Sequence, residues 1–133
     1  MEKNKINKLS LSLLPETLAV CRLGADDPVP EWAYSGNFWS VLKSGSEISV
    51  VCQQEFVPEN IICEKGWKAF KVNGILSFEL TGVLASIAEP LANAGISIFA
   101  VSGYDTDYVL VKEDKLKEAI NALNSYGHSV ESS

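Results

Sequence analysis

The C-terminal half of the chain changes from a two-residue hydrophobic repeat to a helical one. Between Ile75 and Leu80, apolar Leu and Phe alternate with Ser and Glu, which predicts a half-buried strand. After a break at Thr81-Gly82, apolar residues recur at the spacing of one helix face, at Leu84, Ile87, Ala88 and Leu91. Pro90 lies inside this helix and is expected to bend it or to loosen its hydrogen bonds. Gly95 suits the left-handed conformation that ends many helices.

Two more strands and a second helix follow. Residues 96–102 are apolar on both faces, which predicts a central strand, and a turn at Gly103–Asp105 leads into a strand over 106–111. Two acidic residues at 113–114 open a helix, and its buried stripe is predicted to be Leu116, Ala119, Ile120 and Leu123. Gly127 closes this helix before a short last strand at 128–130. The order is βαββαβ, that of a ferredoxin-like unit.

The N-terminal half repeats this order with shorter helices. Strands are predicted over 17–23, 38–43, 47–52 and 67–72, with single helical turns at 30–33 and 58–62. A shift of 58 positions lays Gly24 on Gly82 and Ser44-Gly45 on Ser102-Gly103. We therefore predict an internal duplication with halves at 9–73 and 74–131. The expected fold is α+β, with tandem ferredoxin-like βαββαβ units, antiparallel sheets and helices on one face.

Composition and charge exclude several classes of protein. The 133 residues are 47% hydrophobic, enough for one compact unit or two small halves. The net charge of −6 and the scattered lysines provide no basic stripe for nucleic acid. No window approaches the roughly 18–20 apolar residues of a membrane-spanning helix. The apolar stretch Leu9–Leu14 is too short for a signal peptide, so we expect a cytoplasmic protein without membrane contact.

The residues with reactive side chains form no recognisable catalytic or metal-binding motif. Cys21, Cys52 and Cys63 are widely spaced, and with the single His128 they match neither a disulfide framework nor a zinc site. We expect these thiols to act as small apolar residues. The nucleophile-elbow, phosphate-loop and dinucleotide motifs are all missing from the sequence. The prediction is a protein that is not an enzyme and that needs no cofactor or metal.

Two segments are candidates for binding a small molecule. Gly82 precedes a predicted helix, where free N–H groups favour a carboxylate or phosphate, although a strand-to-helix turn often requires glycine for its own geometry. The hairpin 102–108 is dense in polar groups. Asp105 lies in its turn, where aspartate commonly binds local backbone, whereas Asp107 lies beside the strand, where it could accept a hydrogen bond from an ammonium or guanidinium group.

The run from Thr81 to Val111 resembles the ACT domain, and in particular the small two-ACT bacterial proteins related to CASTOR, the cytosolic arginine sensor of animals. Residues 30–33, 38–41 and 47–52 resemble the first half of that family. The resemblance covers residues 14–123.

This resemblance implies a regulatory ligand, usually a free amino acid, held between the two ACT-like halves. It also implies a possible homodimer or a regulatory protein partner. Transferred by position, the implied ligand-binding residues are Thr81, Gly82, Val83, Leu84, Ile98, Phe99, Thr106 and Asp107, with Ser40 and Val41 from the first half. The alternative is a structural or protein-interaction module of ferredoxin-like fold that binds no metabolite.

Overall fold

A computed structural model describes residues 8–74 and 82–132. The strands of these residues are β1 (Ser10–Leu13), β2 (Leu18–Leu23), β3 (Trp39–Lys43), β4 (Ile48–Gln53), β5 (Ile62–Val72), β6 (Ile98–Ser102), β7 (Asp107–Lys112) and β8 (Ser129–Ser132). The two α-helices are α1 (Val83–Asn93) and α2 (Leu116–Ser125), and single 3₁₀ turns occur at Glu31–Tyr34, Gln54–Phe56 and Glu113–Lys115.

The chain divides into two compact units, whose boundaries differ from those of the sequence halves. The N-terminal unit is Glu16–Trp67, and the C-terminal unit joins the chain up to Pro15 with the chain from Lys68 onwards. Strand β5 begins in the first unit and ends in the second. The halves 9–73 and 74–131 stay a prediction about duplication, since a repeat boundary and a compact unit need not coincide.

The N-terminal unit has the strand order of a ferredoxin-like sheet. Its strands lie in the order β3-β4-β2-β5, and every pairing is antiparallel. The two connections that would hold helices carry the 3₁₀ turns instead. The buried residues of its core are Ala19, Cys21, Ala33, Ile48, Val50, Cys52 and Val57.

The C-terminal unit contains α1, the β6–β7 hairpin, α2 and β8 in the order predicted from the sequence. Strand β7 pairs with β6 and β5, β5 pairs with β1, and β1 pairs with β8. The strand predicted over Ile75–Leu80 lies outside the described residues.

Both helices pack on one face of this sheet, as predicted. The apolar stripe of α1 contributes Val83, Ile87 and Leu91 to the same core as Ala119 and Leu123 of α2. The strands contribute Leu11, Phe70, Val72, Val109 and Val111 to it. The apolar residues spaced at the helical period and those spaced at the strand period therefore pack together in a single apolar layer.

Glycine ends both helices in the same way. The N–H of Ile96 donates to the carbonyl of Leu91 and that of Gly95 to Ala92, and α2 repeats this pattern around Gly127. Gly95 has a φ of +75°, a conformation that costs other residues about 1–2 kcal/mol. The predicted helix ends at Gly95 and Gly127 are confirmed.

Strand β1 was not predicted, and it lies between β5 and β8 in the sheet. It lies antiparallel to β5, with Leu11 opposite Val72, and parallel to β8, with Leu11 opposite Val130. Its alternation of Leu and Ser is typical of a strand, but alternation does not identify a partner distant in the sequence.

Two other local predictions were wrong. Strand β6 is not buried on both faces, because none of its residues is buried and Ala100 and Ser102 are exposed; among the described strands it pairs with β7. The helical turn predicted at 58–62 lies instead at Gln54–Phe56, and Pro58 precedes a simple turn before β5.

Candidate functional site

The start of α1 is an open, uncapped helix N-terminus. Gly82, with φ +79° and ψ 1°, accepts the first helical hydrogen bond from the N–H of Ser86 and provides no side-chain cap. The first turn contains no acidic residue. A Cβ added at Gly82 would meet nothing within 4 Å, so the space beside it is open. The N–H groups of a helix's first turn and the positive end of the helix dipole favour a carboxylate.

The β6–β7 hairpin presents the Asp107 carboxylate at its closed end. Ser102 and Asp107 are opposite each other in the last pair of the hairpin. The Ser102 hydroxyl donates a hydrogen bond of 2.6 Å to Oδ1 of Asp107. The turn is closed by the N–H of Gly103, which donates to the carbonyl of Thr106 at 2.8 Å. The bond from Ser102 orients the Asp107 carboxylate, and because Asp107 is only half-buried, the carboxylate stays accessible to water.

Gly103 gives the Thr106 side chain its room. A Cβ at position 103 would lie 3.0 Å from the Thr106 hydroxyl oxygen, which is tighter than ordinary van der Waals contact. The glycine at position 103 is therefore matched to its threonine neighbour.

The predicted site residues of the C-terminal unit lie in three places. Gly82, Val83 and Leu84 lie at the start of α1, and Thr106 and Asp107 lie at the turn end of the β6–β7 hairpin, where Asp107 is opposite Ser102. Ile98 and Phe99 lie at the other end of β6, opposite Val111 and Leu110.

The remaining predicted residues lie elsewhere. Ser40 and Val41 are half-buried in β3 of the N-terminal unit, opposite Val51 and Val50 of β4. Thr81 lies outside the described residues. Sequence reasoning gave Ser102 no role, although a serine directly before a tight turn and an aspartate directly after it are the signal for such a cross-strand bond.

Residues 8–74 and 82–132 contain no group of three or more His, Cys, Asp or Glu side chains that could hold a metal ion. No helix in these ranges has the length and apolar character needed to cross a membrane.

Comparison with known proteins identifies the class to which the fold belongs. The family model of the ACT domain matches residues 62–125, and a model described as an N-terminal domain matches residues 16–60. The crystal structure of the protein Atu0741 from Agrobacterium tumefaciens is 33% identical in sequence, with a TM-score of 0.90 over 96% of this chain and 95% of that one. The chain therefore contains an ACT domain over residues 62–125.

The matched proteins include an arginine sensor and, by fold, a regulatory subunit. The Rattus norvegicus protein named cytosolic arginine sensor for mTORC1 subunit 1 is 28% identical over 134 residues, which cover 85% of this chain and 40% of the sensor. The human sensor is 38% identical over 58 residues, or 18% of its length. The chain thus spans less than half of these relatives. The regulatory subunit of aspartate kinase from Thermus thermophilus, with 13% identity and a TM-score of 0.62, shares the fold. The resemblance noted in the sequence is confirmed.

Proposed function

We propose that this protein is a non-catalytic regulatory module that binds a free amino acid. The observation that carries the proposal is the start of α1, where an open glycine, the absence of a side-chain cap and the absence of a first-turn acid suit the ligand's carboxylate. The ACT-domain match and the arginine-sensor relatives support an amino acid over other carboxylates.

Asp107 is the proposed partner of the ligand's cationic group. Its Oδ1 is held by Ser102, which leaves the carboxylate oriented before any ligand arrives. Orientation before binding lowers the entropy cost of ordering the site. A charge-assisted hydrogen bond here would contribute about 1.5–3 kcal/mol, so losing it weakens binding about tenfold or more. Arginine and lysine are therefore the first ligands to test.

The other predicted ligand-binding residues belong to the same proposal on the strength of the resemblance alone. Ser40 and Val41 of β3, Ile98 and Phe99 of β6, and Thr81 stay predictions. A cytosolic location is proposed on the same basis, because the named relatives are cytosolic sensors.

The test is a thermal-shift screen against the twenty amino acids, followed by calorimetric titration of each that raises the unfolding midpoint. A ligand that binds only the folded protein raises the midpoint with concentration. Asp107→Asn keeps an oxygen for Ser102 and removes the charge, so we expect affinity for a cationic amino acid to fall about tenfold. Asp105→Asn is the matched control, since it makes the same charge change in the turn and should leave affinity unchanged.

Agmatine, which is arginine without its carboxylate, separates the two ends of the site. Loss of binding with agmatine supports the helix N-terminus as the carboxylate site. Equal binding of arginine and agmatine, or equal affinities of the two asparagine variants, would contradict the assignment.

The second candidate is a protein-interaction module without a metabolite, as a homodimer or with a regulatory partner. The observation that favours it is the edge strand β3, where Trp39 and Leu42 remain 45% and 65% exposed. Exposed apolar side chains on an edge strand are typical of surfaces that another chain covers. No thermal shift with any amino acid, together with a concentration-dependent dimer in sedimentation experiments, would favour this function.

A further inference from the structure

The fold brings two distant cysteines into register. Strands β2 and β5 are antiparallel, and Cys21 of β2 lies directly opposite Cys63 of β5. Directly opposed residues of an antiparallel pair project from the same face of the sheet, with Cα atoms about 4.5–5.5 Å apart. This separation lies within the range of about 4.4–6.8 Å found across disulfide bonds.

A β-bulge in β5 creates this pairing. Leu18 is opposite Trp67, but Val20 is opposite Glu64, so the register shifts by one residue between them. Gly66, with a φ of +82°, lies within the shifted segment. Without the shift, the residue opposite Cys21 would be Glu64, and Cys63 would project from the other face.

Cys52 is a neighbour of the pair with a different geometry. It lies on β4 opposite Ala19, and Cys21 lies opposite Val50, so Cys52 is diagonal to Cys21 on the same face. Diagonal neighbours are about 7–8 Å apart between Cα atoms, beyond the distance that a disulfide bridges without backbone movement. The Cα separations therefore favour Cys63 over Cys52 as the disulfide partner of Cys21, although the Cys21 thiol also forms a hydrogen bond with Cys52.

The surroundings of the three thiols differ in access to solvent. Cys21 and Cys52 are buried, at 2% and 0% exposure, whereas Cys63 is half-buried. A hydrogen bond with Cys52, followed by burial, raises the pKa of the Cys21 thiol. The same hydrogen bond lowers the pKa of the Cys52 thiol.

We propose that Cys21 and Cys63 form an oxidant-sensitive thiol pair that hydrogen peroxide converts to a disulfide joining β2 to β5. The Cys63 thiolate attacks a peroxide oxygen, the O–O bond breaks, and the products are Cys63 sulfenic acid and hydroxide, which takes up the thiol proton. The Cys21 sulfur then attacks the Cys63 sulfur, and hydroxide leaves with the Cys21 proton as water. Two thiols and one peroxide become one disulfide and two waters.

The test treats the folded protein with hydrogen peroxide, blocks remaining thiols with an alkylating reagent, and maps the peptides by mass spectrometry. We expect an intramolecular disulfide between the peptides of Cys21 and Cys63, with Cys52 left alkylatable after unfolding. The disulfide should raise the unfolding midpoint by roughly 5–15 °C, because it closes a long loop, and a reducing agent should reverse the rise.

Matched serine variants separate the two possible partners of Cys21. Cys52→Ser should still form the disulfide, whereas Cys63→Ser should show neither the cross-linked peptide nor the rise in midpoint. A Cys21–Cys52 bond, a cross-link between two chains, or three free thiols after treatment would overturn the proposal. The peptide map of the unsubstituted protein decides this even where a variant fails to fold.

Discussion

The buried imidazole of His128 and the helix proline Pro90 are two parts of one arrangement. His128 is only 3% exposed, and its Nε2 lies 2.8 Å from the carbonyl oxygen of Ser86. Its Nδ1 accepts a hydrogen bond of 3.0 Å from the N–H of Leu9. A carbonyl oxygen accepts only, so Nε2 must carry the proton and the ring is the neutral Nε2–H tautomer.

The proline explains why that carbonyl needs a donor. In an α-helix, the carbonyl of Ser86 accepts from the N–H four residues later, and position 90 is a proline without an N–H. The carbonyl is thus left unpaired by the helix and is bound by the imidazole of a residue 42 positions further along the chain. The hydrogen bond that Pro90 removes from the helix is thus replaced by a donor from outside the helix.

Replacing His128 with alanine should therefore destabilise the protein by about 3 kcal/mol. An unpaired buried carbonyl costs about 1–3 kcal/mol, and the Leu9 N–H, which is half-buried, adds about 1 kcal/mol. For a domain of this size the unfolding midpoint should fall by roughly 10 °C. His128→Gln keeps an N–H near the Nε2 position, so it should lose much less.

A double-mutant cycle with Pro90→Ala tests the cause. Alanine at position 90 supplies the missing N–H to Ser86, so His128→Ala in that background should cost about 1–2 kcal/mol less than in the unsubstituted protein. Urea unfolding followed by circular dichroism measures each of the four proteins. Additive effects to within about 0.5 kcal/mol would refute the reasoning.

Two further predictions concern a helix end and a surface tyrosine. Gly95→Ala should lower the free energy of unfolding measured in urea by about 1–2 kcal/mol, because φ at position 95 is +75°. Gly45→Ala is the control and should be near neutral, because a Cβ there meets nothing within 4 Å and φ is not positive. Equal effects of the two substitutions would contradict the strain argument. Tyr126 donates a hydrogen bond to the Glu89 carboxylate, and this bond raises the pKa of the Tyr126 phenol above its ordinary value. The protonated phenol is thus favoured in the folded state, and its contribution is present below about pH 10 and is lost as the pH rises through the raised pKa. Glu89→Gln should return the Tyr126 titration, followed by NMR of labelled tyrosine, toward the ordinary value, and an unchanged titration would exclude Glu89 as the cause.

The candidate site was predictable in part from local features of the sequence. Gly82 at a helix start and Asp107 after a tight turn could both be predicted, because a helix start and a tight turn are set by residues within a few positions of each other. The bond from Ser102 to Asp107 and the separation of Ile98 from Asp107 along β6 follow from the hairpin register. The sequence predicted the approximate position of the turn, but not which residues of the two strands lie opposite each other.

The sequence by itself determined the elements whose hydrogen bonds and apolar stripes are local: α1 and α2, their glycine ends and the β6–β7 hairpin. Only the tertiary structure decided which distant groups meet. Strand β1 pairs with β5 and β8, Cys21 faces Cys63 because of a one-residue bulge, and His128 supplies the donor that Pro90 lacks. The physical reason is that a strand or a buried polar group must find a partner, while its own sequence does not specify which one.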